Sequence, residues 1–357
     1  MIAQNFTLLD HARIAHLKTP YSARRIPVSS LVALRPVGVP EPGDLVLARI
    51  DRPSQHKHLE LACGRRARLF PGDEIVLVYG NRYAPDQFEA LVPDDLGPCH
   101  MVAAGGIAAR MVSRHSKMRP ATTITPLGLI CDRTGRTVNL RQFALPVSGL
   151  EFNRPPVIAV VGTSMNAGKT ETATNIIRGL SEAGMRVGAA KVTGTGAGGD
   201  AWSMADAGAT MVLDFVDAGL PSTYRAPAQQ IEQVLATLVN QLARSGAEAI
   251  VLEIADGLFQ DETAALVRSR TFKAAVDRVV FAAGDAMGAL AGVQWLRESS
   301  LPVAAVAGVV TSSPLATREA AAATGLRVLG LDALSSPEIA RHLSVAAAAA
   351  PLEAVAL

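Results

Sequence analysis

Gly162-Thr-Ser-Met-Asn-Ala-Gly-Lys169-Thr170 follows the apolar run Val157-Ile-Ala-Val-Val161 and leads into Glu171-Thr-Ala-Thr-Asn-Ile-Ile-Arg-Gly-Leu180. The first run has the length and branching of a buried strand, and the second repeats its apolar residues at helical spacing. Strand, glycine-edged loop, Lys-Thr and helix make up the arrangement that cradles nucleotide phosphates. Such a loop turns its backbone N–H groups inward, and the helix N-terminus adds partial positive charge. On this reading Gly162, Thr163, Ser164, Asn166, Ala167, Gly168, Lys169, Thr170 and Glu171 border the nucleotide. Gly168 lets the backbone approach without a Cβ, Lys169 reaches the β/γ oxygens, and the Thr170 hydroxyl can hold Mg²⁺. The first glycine lies one position earlier than in the common G-x-x-x-x-G-K-[ST] pattern, and Thr163 stands where that glycine would be.

Outward from this loop, 357 residues imply about two domains, and 49 % apolar content supports full-sized cores. A net charge of +2 argues against a dedicated nucleic-acid binder. No run approaches the length of a transmembrane helix, and Met1–Asp10 has no charged segment leading into an apolar core. Cys63, Cys99 and Cys131 are widely spaced and odd in number, which fits reduced thiols and a soluble, cytoplasmic chain. Lysine is scarce, six against 28 arginines, yet Lys169 and Lys191 are kept in the phosphate-binding half.

The rhythm changes near residue 150. Residues 40–145 read as short strands with turns: 44–50, 58–63, 67–70, 74–79, 87–92, 122–131 and 137–143, interrupted by a helix over 104–118. Pro42–Asp44 and Pro71–Asp73 repeat one Pro-Gly-Asp turn before an apolar run. A small barrel or sandwich is expected for residues 1–150, serving as an accessory or substrate-binding domain. Ser148–Pro156 is the linker. Residues 151–345 then alternate strands (157–161, 186–191, 249–254, 278–282, 303–309, 327–331) with helices (169–183, 201–207, 228–245, 263–273, 286–298, 315–324). That α/β pattern predicts a mainly parallel sheet with ligands at the strands' carboxyl ends. Residues 346–357 form an Ala-rich tail, either a loose helix or a disordered end.

Three strand ends carry further chemistry. Lys191 ends the second strand and precedes Val-Thr-Gly-Thr-Gly-Ala-Gly-Gly-Asp200; it either reaches a bound anion or is a solvated charge. Asp200 is either an N-cap or a Mg²⁺ carboxylate. Glu253 closes the apolar run Ala249–Leu252, where phosphoryl-transfer sites place a residue completing the metal shell; the alternative is a carboxylate turned to solvent. Asp256-Gly257 is a tight turn or a second carboxylate near the γ-phosphate. Thr311, after the fifth strand, lies where such loops border the base. No Asn-Lys-x-Asp segment exists, which favours ATP over GTP. In residues 1–150, Arg110, Arg114 and Lys117 would share one face of the expected helix, either solvated or aimed at an acidic substrate. His56 and His58 would share a face of a strand, as a surface pair or two metal ligands.

These residues resemble dethiobiotin synthetase and its relatives, among them the amidotransferase-type ligases of cobalamin biosynthesis. Gly162–Thr170 is similar to the family's widely spaced phosphate loop. Lys191 resembles its substrate-loop lysine, Asp200 its Mg²⁺-binding aspartate, and Glu253 before Ala255-Asp-Gly257 its second Mg²⁺ ligand. The resemblance covers about residues 155–335 and implies the fold and an ATP·Mg²⁺ site rather than dethiobiotin formation; residues 1–150 resemble no family. Relatives often place this site at a dimer interface, so a homodimer is implied. Ser164 occupies the position of the extra lysine in MinD/ParA switches, which disfavours that mechanism. The expectation is an ATP- and Mg²⁺-dependent ligase or kinase acting on a small acidic metabolite. Thr170, Asp200 and Glu253 would serve the metal, and Lys169, Lys191 and Glu253 the chemistry. The alternative is a nucleotide-dependent adapter (like the molybdopterin-guanine-dinucleotide adapter MobB) or switch, with the N-terminal domain binding a partner.

Overall fold

In a computed structural model of the chain, which describes residues 6–345, the polypeptide divides into two compact units. One comprises the described residues up to Val147 with Thr193–Trp202 and Asp214–Val234. The other comprises Ser148–Val192, Ser203–Leu213 and the described residues from Leu235 onward. The Ala-rich tail and the first five residues lie outside the described residues. Among the described residues no helix is long and apolar enough to cross a membrane.

The first unit is built on β1 (Leu45–Arg52), β2 (Glu74–Tyr79), β3 (Cys99–Ala103), β4 (Ile107–Arg114) and β5 (Thr122–Cys131). β1 pairs antiparallel with β2, β2 parallel with β4, β4 antiparallel with β3, β3 with β5, and β5 with β1. The circuit returns to its start, so each strand has a neighbour on both sides, the condition for a barrel. Val46, Ala48, Ile50, Ile75, Leu77, Met101, Ala108 and Ile124 fill its core. Two Pro-Gly-Asp turns launch β1 and β2, and they are the same device. The Asp44 N–H donates to the Glu41 carbonyl at 3.0 Å and the Asp73 N–H to the Phe70 carbonyl at 3.1 Å. Gly43 (φ 95°) and Gly72 (φ 89°) take the left-handed position such turns require. Each aspartate carboxylate then accepts from the first residue's N–H, Glu41 at 2.9 Å and Phe70 at 3.0 Å.

Two expectations fail in this unit. The segment 104–118 is not a helix: Gly106 (φ 91°) closes a tight turn on the Ala103 carbonyl, and β4 runs on from it as a strand. The basic helical face of Arg110, Arg114 and Lys117 therefore does not exist, and Arg110 instead donates to Asp95 at 2.8 Å. Residues 137–143 end as a 3₁₀ turn, Leu140–Phe143, capped by Asn139. His56 packs its ring 5.8 Å from that of Phe88 rather than joining His58, and no three metal-binding side chains gather among the described residues. All three cysteines are free; burial pushes the Cys99 thiol up to about 12, far from reactivity.

The second unit holds a six-stranded sheet ordered β8-β7-β9-β6-β10-β11: β6 (Val157–Gly162), β7 (Val187–Lys191), β8 (Met211–Asp214), β9 (Ala249–Glu253), β10 (Arg278–Ala282) and β11 (Val303–Ala307). β7, β9, β6, β10 and β11 pair in parallel. Buried on both faces, β6 has no polar position, as its unbroken apolar run foretold. α1 (Lys169–Glu182) lays Ala173, Ile176, Ile177 and Leu180 on the sheet. Other expected helices and strands match closely, with two exceptions. The segment 263–273 splits at Ser269, which ends Asp261–Arg268 and caps Arg270–Ala275 by accepting the Phe272 N–H at 3.0 Å. The expected strand 327–331 is reduced to one bridge, Val328 to Val306.

Candidate nucleotide site

β6 is central, so its carboxyl end delivers residues 162–168 between neighbouring strand ends. Gly162 lies level with Ala282 of β10, and a Cβ there would come within 2.8 Å of the Ala282 carbonyl. Asn166 (φ 65°) and Gly168 (φ 90°) both take left-handed conformations, turning the loop sharply into α1. Asparagine and glycine are the residues that accept this backbone at least cost. The Lys169 side chain is buried and its Nζ donates to the Ser164 carbonyl at 2.7 Å, folding the ammonium over the loop. Thr172 backs the turn, donating from Oγ1 to the Gly168 carbonyl at 2.7 Å. Glu171 stands exposed in the first turn of α1, where a carboxylate complements the helix dipole.

Glu253 is the acid of this site. It is 2 % exposed, and register sets it level with Lys191 on one side and Val160 on the other. Its Oε1 accepts from Thr170 Oγ1 at 3.1 Å and lies 3.6 Å from Lys191 Nζ. Hydroxyl, buried carboxylate and ammonium thus meet at the ends of β7, β9 and the start of α1. A carboxylate so buried requires such company. Mg²⁺ takes hard oxygens, usually one or two carboxylates with the remaining positions left to phosphates and water. Thr170 Oγ1 and Glu253 Oε1 fit that donor chemistry.

Asp200 is the second residue of α2 (Gly199–Asp206), inside the helix rather than capping it, and its segment belongs to the first compact unit. Thr311 sits in a 3₁₀ turn, its hydroxyl donating to the Gly308 carbonyl at 2.8 Å. That turn revealed contacts the sequence did not announce. The Val309 N–H donates to the Ala167 carbonyl at 3.1 Å, and a Cβ on Gly308 (φ 92°) would lie 2.3 Å from that same oxygen. Gly257 is packed as tightly: a Cβ there would lie 2.2 Å from the Thr163 carbonyl. Both glycines follow the ends of sheet strands, the one signal that could have marked them as partners of the loop.

This unit is an α/β domain with a mainly parallel six-stranded sheet and a glycine-edged loop leading from β6 into α1, an arrangement typical of a P-loop domain. No protein-family model matches the sequence, and no curated protein matches it. Among solved structures the chain is similar to the signal recognition particle 54 kDa protein from Aeropyrum pernix K1 in complex with GDP. That pair shares 19 % identity and a TM-score of 0.37, over 54 % of this chain and 46 % of the other. The signal recognition particle receptor FtsY from Elizabethkingia anophelis in complex with GDP follows at 14 % identity and TM-score 0.35, covering 51 % and 58 %. The kinase domain of Escherichia coli tyrosine kinase ETK shares 11 % identity at TM-score 0.31, covering 43 % and 65 %. The chain thus spans about half the length of the first of these.

Proposed function

We propose that the chain is an ATP- and Mg²⁺-dependent enzyme that phosphorylates or otherwise activates a small acidic metabolite, in the manner of the dethiobiotin synthetase-like ligases. The observation carrying this reading is the convergence of Thr170, Glu253 and Lys191 beside a loop whose lysine is already folded over it. When bound, ATP·Mg²⁺ supplies the transferable phosphoryl group. The loop N–H groups and Lys169 bind and orient the phosphates; Thr170 and Glu253 hold the metal, with Asp200 as the remaining candidate carboxylate. Lys191, held by Glu253, offers a cation to charge developing on the transferred group, so that catalysis rests on positioning and electrostatics. A cytoplasmic location and a homodimer accompany this reading.

The experiment is turnover of ATP and of GTP by the full chain against panels of small carboxylic acids, followed by ADP or GDP release. Acid-stimulated ADP release with a modified acid is the expected result. Nucleotide turnover stimulated by no acid would remove the metabolite-activating reading and leave a switch or adapter. Glu253→Gln should raise the Mg²⁺ concentration needed for half-maximal turnover about tenfold or more, the scale of one lost charged ligand; an unchanged Mg²⁺ titration removes Glu253 from the site.

A further inference from the structure

The first unit contains a cavity of about 240 Å³ that the nucleotide reading does not use. Arg141, Arg225, Asn81, Ser222, Tyr224 and Gln230 line it, all within the same compact unit. Two guanidiniums and two carboxamides make its polar wall. The amino end of α3 (Ala228–Arg244) also borders it through Gln230, and a 17-residue helix presents partial positive charge at that end. Arg141 lies 3.8 Å from Glu41, and the Arg225 guanidinium lies 5.6 Å from the centroid of the Tyr224 ring. The cavity is therefore electropositive, and its volume suits a molecule of roughly ten heavy atoms.

A second, independent feature is backbone strain. Arg225 is held at φ 60°, a left-handed conformation that costs an arginine about 1 kcal/mol or more. The loop that imposes it is tightly tied. Thr223 N–H donates to the Gly194 carbonyl and Gly194 N–H to Thr223 Oγ1, both at 2.9 Å. Gly196 N–H donates to the Pro221 carbonyl at 2.9 Å, and Ser222 Oγ accepts the Tyr224 N–H at 3.2 Å. Asn81 fixes the other side, accepting the Val92 N–H at 2.9 Å and donating to the Tyr224 carbonyl at 3.4 Å. A rigid loop that keeps an arginine strained in the wall of a cavity has the character of a ligand clamp.

We propose that this cavity is a binding site for a small carboxylate- or phosphate-bearing metabolite, clamped by Arg141 and Arg225. The inference stands on the first unit alone and does not depend on nucleotide binding. Its test is thermal unfolding of the full chain in chloride-balanced buffer with increasing sodium succinate or inorganic phosphate, for the wild type, Arg225→Gly, Arg141→Ala and Lys169→Ala. At least one anion should raise the unfolding midpoint of the wild type and of Lys169→Ala. A response to succinate alone assigns a carboxylate ligand, and a response to phosphate alone a phosphoryl one; either supports the site. Arg225→Gly should weaken the apparent affinity about tenfold or more, the scale of one charge-assisted pair. Because glycine adopts φ 60° freely, this variant is spared the left-handed strain and should still fold. The proposal is overturned if neither anion acts, or if the response survives both arginine substitutions. It is equally overturned if the response vanishes in Lys169→Ala yet persists in Arg225→Gly, which would place the anion on the phosphate loop.

Discussion

Gly308 bears on the phosphate loop as directly as any residue within it. Its φ of 92° and the 2.3 Å approach of a Cβ to the Ala167 carbonyl leave no room for alanine. Gly308→Ala should cost at least about 2 kcal/mol of stability, strain and displaced backbone together, and should weaken nucleotide binding without touching Lys169. Chemical unfolding and nucleotide titration measure the two effects. At the same scale, burial and the nearby Arg82 guanidinium push the His56 imidazole down to about 4. The unfolded chain takes up that proton near the ordinary value of 6.5 while the folded chain refuses it. His56 therefore favours the fold fully above pH 6.5 and progressively less as pH falls toward 4. His56→Gln should flatten that part of the stability profile, measured as unfolding free energy against pH; an unchanged slope would count against it. Lys169, Thr170 and Glu253 were legible from residue type and place along the chain, because strand, loop and helix announce themselves locally. Gly257 and Gly308 were not, because their importance lies in what packs on them from a hundred residues away.

The elements show the same division. Two Pro-Gly-Asp triplets declared two turns, since proline and glycine restrict backbone conformation wherever they stand. The segment 104–118 misled because alanines and charges suit a helix, whereas neighbours on three strands impose extension on it; tertiary pairing overrides propensity. The two turns also permit a paired test. Gly43 and Gly72 share one conformation, but a Cβ on Gly43 would lie 2.7 Å from Asn139 Oδ1, whereas one on Gly72 meets nothing within 4 Å. Gly72→Ala should cost about 1 kcal/mol, the left-handed penalty alone. Gly43→Ala should cost more, by about a further 1 kcal/mol, because the Asn139 cap must move. Equal losses in parallel denaturant titrations would contradict the added cost assigned to Asn139.

For the whole molecule, the composition shift near residue 150 was plain, but the return of Thr193–Trp202 and Asp214–Val234 to the first unit was not. Such returns depend on partners distant in sequence. Tyr21 donates to Asp214 at 2.8 Å, and Arg24 reaches Asp214 at 2.7 Å and Asp217 at 2.6 Å. Burial, then repulsion from Asp214, raises the Asp217 carboxyl. Removing Arg24 leaves two buried acids facing each other, so Arg24→Ala should destabilise the chain by about 3 kcal/mol. Glu60, 3 % exposed, ties the other returning segment by accepting Gly198 N–H at 2.8 Å and Trp202 Nε1–H at 3.1 Å. A fragment ending at residue 147 lacks both segments and should fail to unfold cooperatively.

The most direct test of the central claim is equilibrium titration of the full chain with a fluorescent ATP analogue and Mg²⁺, in wild type and Lys169→Ala. Saturable, Mg²⁺-dependent binding that the lysine substitution weakens at least about a hundredfold is the predicted result, the scale of one buried, charge-assisted phosphate contact. Equal binding by the two proteins, or none by the wild type, would contradict the assignment of Gly162–Thr170 as the phosphate cradle.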